Sequence, residues 1–410
     1  MATSSEVNIP HSDATVIVKA LNSIDSEKSH IPAALFMSPV LPGREDYWFP
    51  DFSFLIENPR LGRRVMFDLG ARNPATYPPP IAQQLELPFI QFVVDEIPDQ
   101  LVKGNVDLKS IDTIIWSHAH MDHIGDTTRF PPSTDLVVGR GMQLKLYPEH
   151  PESGLLEKDI SGRNVRELKY GGLKIGDFDA LDYFEDGSLY LLDAPGHAPG
   201  HTCALARVTP TSFVLLGADI SHHPGHFRPS ASLHQTIACP SQILAAARKA
   251  ISGEHFGVHG PSQPFDLAKR TTPMFDIADG GAYEDPPTAR KTLQKLLAFD
   301  AHPDILVVIA HDLTLVGHLP LFPKTINDWK KDGLKEKVTW ASFEPGNRAF
   351  RYSSGGQRRL QGSPLSLKPK HNNSGVNAKH GCASRVIRPH LPVNTLQEKS
   401  VAPGRSACRL

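Results

Sequence analysis

The chain has 410 residues, 40% of them hydrophobic and 21% charged, a composition ordinary for a soluble globular protein with a sizeable core. The net charge of −1 is unevenly spread: from Gly355 onward about ten Lys and Arg face a single acid, Glu398, so the rest of the chain is acidic by about ten charges. That acidic body argues against nucleic acid as a partner, and the absence of any run of 18 apolar residues argues against a membrane-spanning helix.

Thr15 to Ala20 alternates polar and apolar residues and predicts a first strand. Ser53 to Glu57 and Arg64 to Asp68 predict a hairpin around a turn-rich Asn58–Arg63 link. Ile111 to Trp116 reads as a buried strand, and Asp135 to Gly139 as a short one. A meander follows over Leu173–Ile175, Phe178–Tyr183 and Ser188–Asp193, then a second hairpin over Cys203–Val208 and Ser212–Gly217. Helices are expected over Pro240–Ser252 and Thr288–Phe299; the second places Ala289, Leu293, Leu296 and Leu297 on one face behind Pro286 and Pro287. Asp304 to Ala310 is a buried strand ending at His311. Strand-rich halves joined to helices imply a layered α/β protein, and the pattern stops near Ser353 in a Ser-, Gly-, Asn- and Lys-rich stretch.

Four cysteines, Cys203, Cys239, Cys382 and Cys408, form no Cys-x-x-Cys pair and no disulfide framework. The N-terminus shows no basic region followed by an apolar one, so a reducing, cytoplasmic location is expected.

The chemistry concentrates at strand exits. Ser117-His118-Ala119-His120-Met121-Asp122-His123 follows strand 111–116 and carries four metal-ligand side chains within six residues. His118 and His120, two apart, can project to one side; Asp122 and His123, adjacent, can diverge and serve a second metal. Three later junctions each offer a ligand: His197 and His201 in Pro195-Gly196-His197-Ala198-Pro199-Gly200-His201, Asp219 after strand 212–217, and His311. Imidazole and carboxylate suit zinc, iron or manganese, and residue type alone does not separate them.

This ordered set resembles the metallo-β-lactamase fold superfamily of dinuclear metal hydrolases over roughly residues 14–345. Asp182-Tyr183-Phe184-Glu185-Asp186-Gly187-Ser188 and Asn327-Asp328-Trp329-Lys330 resemble its fungal lactonase-like and lactamase-like branch. The resemblance implies a four-layer αββα sandwich, with a hydrolase domain over residues 1–350; the composition of 351–410 is read as a disordered basic tail. It implies two divalent metal ions, expected as zinc: His118, His120 and His197 on the first, Asp122, His123 and His311 on the second, and Asp219 bridging. His201 is expected in a supporting role and Asp68 as the residue that orients the ligand loop.

Two departures narrow the substrate. Clinical di-zinc β-lactamases have cysteine where Asp219 stands, and quorum-signal lactonases have tyrosine where His222 stands. Asp122 and His222 are the catalytic candidates; His222 either donates to an oxyanion or is a loop histidine. His222, His223 and Arg228 are candidates for substrate binding, with a surface arginine as the alternative for Arg228. The stretch Pro229–Pro286 is expected to form a lid or pocket wall. The implied activity is hydrolysis of a lactone, lactam or cyclic carbamate in a small molecule, as in degradation of a xenobiotic or secondary metabolite. A thioester hydrolase and a mononuclear-iron sulfur dioxygenase are the alternatives, and the oligomeric state is left open.

Overall fold

In the computed structural model the described residues are 6–38, 40, 45–85, 91–92, 95–238, 240–243, 271–344, 346–347 and 349. The expected tail over 351–410 and most of the expected helix over 240–252 lie outside them. The strands run β1 (Ile17–Asn22), β2 (His30–Pro32), β3 (Met37–Ser38), β4 (Asp46–Trp48), β5 (Phe52–Asn58), β6 (Arg63–Phe67), β7 (Thr113–Ile115), β8 (Asp135–Val138) and β9 (Val165–Glu167). They continue as β10 (Leu173–Ile175), β11 (Phe178–Asp182), β12 (Leu189–Asp193), β13 (Thr202–Arg207), β14 (Phe213–Ala218), β15 (Asp276–Ile277) and β16 (Ile305–Ile309). Helices used below are α1 (Pro79–Leu85), α2 (Ile97–Lys103), α3 (Met121–Ile124), α4 (Glu157–Ile160), α5 (Ala231–Thr236), α6 (Pro286–Ala301) and α7 (Leu334–Val338).

Two six-stranded sheets carry the fold, ordered β1-β5-β6-β7-β8-β9 and β10-β11-β12-β13-β14-β16. The first is antiparallel from β1 to β6 and parallel from β6 to β9; the second is an antiparallel meander closed by parallel β16. Period-2 alternation sorts their side chains. Phe54, Ile56, Val65, Phe67 and Ile115 meet Leu189, Leu191, Val214, Leu216 and Val308 in one core between the sheets. The intervening residues point outward. Leu55, Met66 and Ile114 pack under α1 and α2, while Tyr190, Leu192, Leu215 and Val307 pack under α6. Helix, sheet, sheet, helix is the expected four-layer sandwich, and strands buried on both faces explain their unbroken apolar runs.

Local differences from the sequence reading have physical causes. β1 begins two residues late because its register is set by pairing Ile17 with Glu57. α6 extends to Pro286–Ala301, capped by the Asp285 side chain accepting from the Thr288 N–H at 3.1 Å. β9 and the small ribbons β2–β4 and β3–β15 were not expected; they are short and partly exposed, with too few residues for a period to show. Among the described residues no helix is long and apolar enough to cross a membrane.

Candidate metal centre

Every ligand-type side chain expected at a strand exit arrives at one end of the sandwich. β7 delivers His118, and α3 carries Asp122 and His123 with His120 at its N-cap. The turn closing α3 must come close to the β6 exit: Gly125 has φ +51, and a Cβ there would lie 2.3 Å from the Leu69 Cβ. Asp68, itself held at φ +60, anchors this loop. Its carboxylate accepts from the Ser117 N–H and hydroxyl, both at 2.7 Å, and from His123 Nδ1 at 2.9 Å. His123 therefore turns an unprotonated Nε2 toward the centre when neutral. His311 is fixed the same way, donating from Nδ1 to the Pro50 carbonyl at 2.8 Å.

The first group is three imidazoles. His197 Nε2 lies 3.1 Å from His118 Nε2 and 2.9 Å from His120 Nδ1. Two nitrogens bound to one tetrahedral zinc are about 3.3 Å apart, so the spacing suits a shared cation. Burial and neighbouring histidines hold all three below the ordinary histidine pKa, His120 and His197 at about 4 and His118 well below its ordinary value. They are neutral ligands at pH 7.

The second group is richer in carboxylate. His311 Nε2 is 3.6 Å from Asp122 Oδ2, and His123 Nε2 is 3.9 Å from Asp122 Oδ1. Asp219 joins the groups: Oδ1 sits 3.2 Å from His123 Nε2 and 3.1 Å from His311 Nε2, and Oδ2 sits 3.3 Å from His197 Nε2. Burial opposes charge on His311, yet Asp219 and Asp122 outweigh it and raise its pKa to about 9. His123 is raised well above its ordinary value by Asp219, Asp122 and Asp68 against the same burial. His123 Nε2 and Asp219 Oδ1, though 3.2 Å apart, are buried and make no well-aligned hydrogen bond among the described residues. Converging lone pairs, buried ligand-type atoms lacking well-aligned hydrogen bonds and a carboxylate with one oxygen in each group fit metal ions.

Supporting residues lie behind this set. His201 is buried; it donates from Nδ1 to the Ala194 carbonyl at 3.0 Å and accepts the Asp219 N–H at Nε2, 3.1 Å away. It therefore positions Asp219. Sequence reasoning missed Arg72, Tyr47, Tyr283 and Asp51. Arg72 is buried against Asp159 at 2.6 Å and donates to the Gly125 and Gly154 carbonyls, clamping the end of α3. Tyr47 donates to the His311 carbonyl at 2.7 Å and to the His222 carbonyl. Asp51, the residue before β5, is fully buried beside His123 and His311, and burial raises its carboxyl to about 7. An acid set in Phe49-Pro50-Asp51-Phe52 was the available signal.

The three substrate-binding candidates separate. His222 lines the cavity, with Nε2 3.1 Å from Asp219 Oδ2 and Nδ1 2.8 Å from the Tyr283 hydroxyl. A carboxylate only accepts, so the neutral ring carries its proton on Nε2 and accepts from Tyr283. That proton is spent on Asp219 rather than free for an oxyanion. His223 does not line the cavity; its Nδ1 accepts the Gly225 N–H at 2.8 Å and closes a 3-10 turn. Arg228 is also elsewhere. It is buried and neither on the surface nor at the cavity, with Nη2 2.7 Å from Asp300 Oδ1 and Nε 3.0 Å from Oδ2.

A cavity of about 470 Å³ opens over the two groups. Phe36, Phe49, Ile81, Phe92, Met142 and Leu155 wall it, and His120, Asp122, His197, Asp219, His222 and His311 reach it from below. Lys145 and Glu152 line it as well and are exposed. From the expected lid over 229–286, α5 and β15 are described, whereas 239 and 244–270 lie outside the described residues.

Stacked sheets capped by helices, with His and Asp converging at their strand exits, define a class of metal-dependent hydrolase. The family model of the metallo-beta-lactamase superfamily matches residues 46–311, and the chain belongs to that superfamily. It is 39% identical over 350 residues to the metallo-hydrolase mfmC of Annulohypoxylon moriforme, covering 82% of this chain and 88% of that protein. It is 38% identical to the gamma-lactamase FDB1 of Fusarium pseudograminearum, covering 82% of this chain and 83% of the relative. A solved N-acyl homoserine lactone hydrolase aligns with 77% of this chain and all of its own, at 17% identity and a TM-score of 0.48.

Proposed function

We propose that this metallo-hydrolase holds two divalent ions and opens a cyclic ester or cyclic amide of a small, largely apolar molecule. The observation that carries the reading is Asp219, one carboxylate with an oxygen in each ligand group, lying at the floor of an apolar cavity. His118, His120 and His197 would hold the first ion, expected as zinc; Asp122, His123 and His311 would hold the second. Such a pair of ions polarises a carbonyl and supplies hydroxide at neutral pH.

The chain's own residues do the rest. The apolar walls bury the substrate body and exclude water from the floor. Of the two acids in the ligand groups, Asp122 is the more open to the cavity, with 27% of its side chain exposed against 3% for Asp219. Its carboxylate would take the proton of the attacking water and return it to the ring oxygen or nitrogen as the acyl bond breaks. His222 and Tyr283 hold the bridging carboxylate in place. Cyclic substrates are further supported by the name of a relative, a gamma-lactamase. A xenobiotic or secondary metabolite fits the cavity's size and apolarity.

The test is a panel of lactones, lactams and cyclic carbamates, scored for ring opening with the mass gain of one water. Activity that disappears on chelation and returns with metal supports the reading. Activity confined to acyl thioesters refutes the cyclic substrate, and a requirement for oxygen refutes hydrolysis altogether.

A further inference from the structure

We propose that Asp51 is an additional carboxylate donor to the second metal position, which makes that position harder and of higher coordination than the first. The inference rests on the two-metal reading above. Asp51 is 0% exposed at the entry to β5. One oxygen, Oδ2, accepts from the Ser23 hydroxyl and from the Ala71 N–H at 3.1 Å. The backbone at Gly70 makes that grip possible: with φ +65, a Cβ there would fall 2.6 Å from the Ser23 Cβ and 3.3 Å from Asp51 Oδ2. The other oxygen, Oδ1, is buried and has no hydrogen-bond partner among the described residues.

Its surroundings cannot satisfy it once the two neighbouring imidazoles are neutral. His123 spends its Nδ1 proton on Asp68 and His311 spends its own on Pro50, so both turn lone pairs inward. A carboxylate oxygen of Asp51 and the ligand nitrogens of His123 and His311 all lie within 4.8 Å of one another. The three atoms therefore converge on one point, where a six-coordinate ion could take all three as ligands. With Asp122 and Asp219, the second position then has three carboxylates and two imidazoles, against three imidazoles and one shared carboxylate at the first. More anionic oxygen favours five or six coordination and ions such as Mn²⁺ or Fe²⁺.

The experiment loads the chelator-stripped full chain stepwise with Co²⁺, counting bound metal and recording the visible spectrum, for the wild type and Asp51→Asn. The asparagine can still accept from Ser23 and Ala71 but removes the anionic donor. Expected is a second wild-type Co²⁺ with the weak bands of five or six coordination. In Asp51→Asn that second ion should bind about 10- to 100-fold more weakly with an altered spectrum, while the first is unchanged. Equal affinity and an identical spectrum in the variant would overturn the role of Asp51 and leave the two-metal reading intact. A wild type that binds one ion would overturn that reading and the proposal with it. Should the variant not fold, the wild-type spectrum decides: intense tetrahedral bands from the second ion would refute the extra donor.

Discussion

Arg228→Met tests whether the arginine after the His222-His223 loop serves the substrate or the fold. Its guanidinium bonds Asp300 three ways, at 2.7, 3.0 and 3.2 Å, and donates to the Thr339 carbonyl at 3.2 Å. Asp300 is 0% exposed near the end of α6, and Lys335 of α7 ties the same turn through the Asp300, His302 and Ile305 carbonyls. Methionine fills most of the volume and strands a buried carboxylate. Breaking one side of a buried pair costs about 3–5 kcal/mol, which for a domain of this size lowers Tm by about 5–10 °C. The double variant Arg228→Met, Asp300→Leu removes both charges and should recover much of that loss. Thermal unfolding measures the stability term, and steady-state kinetics well below Tm measure the functional one. KM and kcat should stay within about threefold of wild type, since a residue away from the cavity contributes little transition-state binding. A tenfold rise in KM with an unchanged Tm would refute this argument and return Arg228 to the pocket.

Asp219→Ala should lose metal and activity together, because one carboxylate serves both groups; wild-type turnover with a metal missing would remove the bridge assignment. Asp68→Asn leaves a loop-anchoring amide but weakens the acceptor for His123 Nδ1, and should cut second-site affinity about 10- to 100-fold with first-site affinity unchanged; equal losses at both sites would contradict it. The pH dependence follows from His311, whose pKa of about 9 in the metal-free fold exceeds the ordinary value near 6.5. Its contribution to metal-free stability is complete below about pH 6.5 and is lost as pH rises through about 9. Metal must displace that proton, so affinity at the second group should climb between about pH 7 and 9, with calorimetric proton release that fades above it; affinity flat across that window would refute the coupling.

The ligands were legible because each is written locally, a histidine or aspartate a few residues past an apolar strand. Asp68 was legible for the same reason, as the acid ending β6. Residues whose meaning depends on distant partners were not. Asp51 meets His311, 260 positions on, only because β5 begins beside the end of β16; the Phe52 N–H bonds the Ala310 carbonyl at 3.0 Å. Arg228 looked like a pocket residue because its sequence neighbours are histidines, whereas its partner Asp300 lies 72 residues away on α6. His222 was found, but its tautomer needed Tyr283, 61 residues downstream.

The same division explains why the reaction class can be read from the chain more readily than the substrate. The cavity floor is built from strand exits, and strand exits carry motifs. Its walls come from other places: Phe36 and Phe49 beside the small ribbons, Ile81 on α1, and Met142 and Leu155 on the loop before α4. These residues satisfy no fixed spacing, since an apolar wall needs only area and shape. They can change without disturbing the Asp68–His123 or His201–Asp219 bonds that hold the metal ligands, because no wall residue takes part in those bonds. A scaffold wired this way lets specificity vary while the chemistry stays fixed. The wall residues between Ile24 and Phe49 and between Met142 and Leu155 are therefore where this chain should differ from relatives with other substrates.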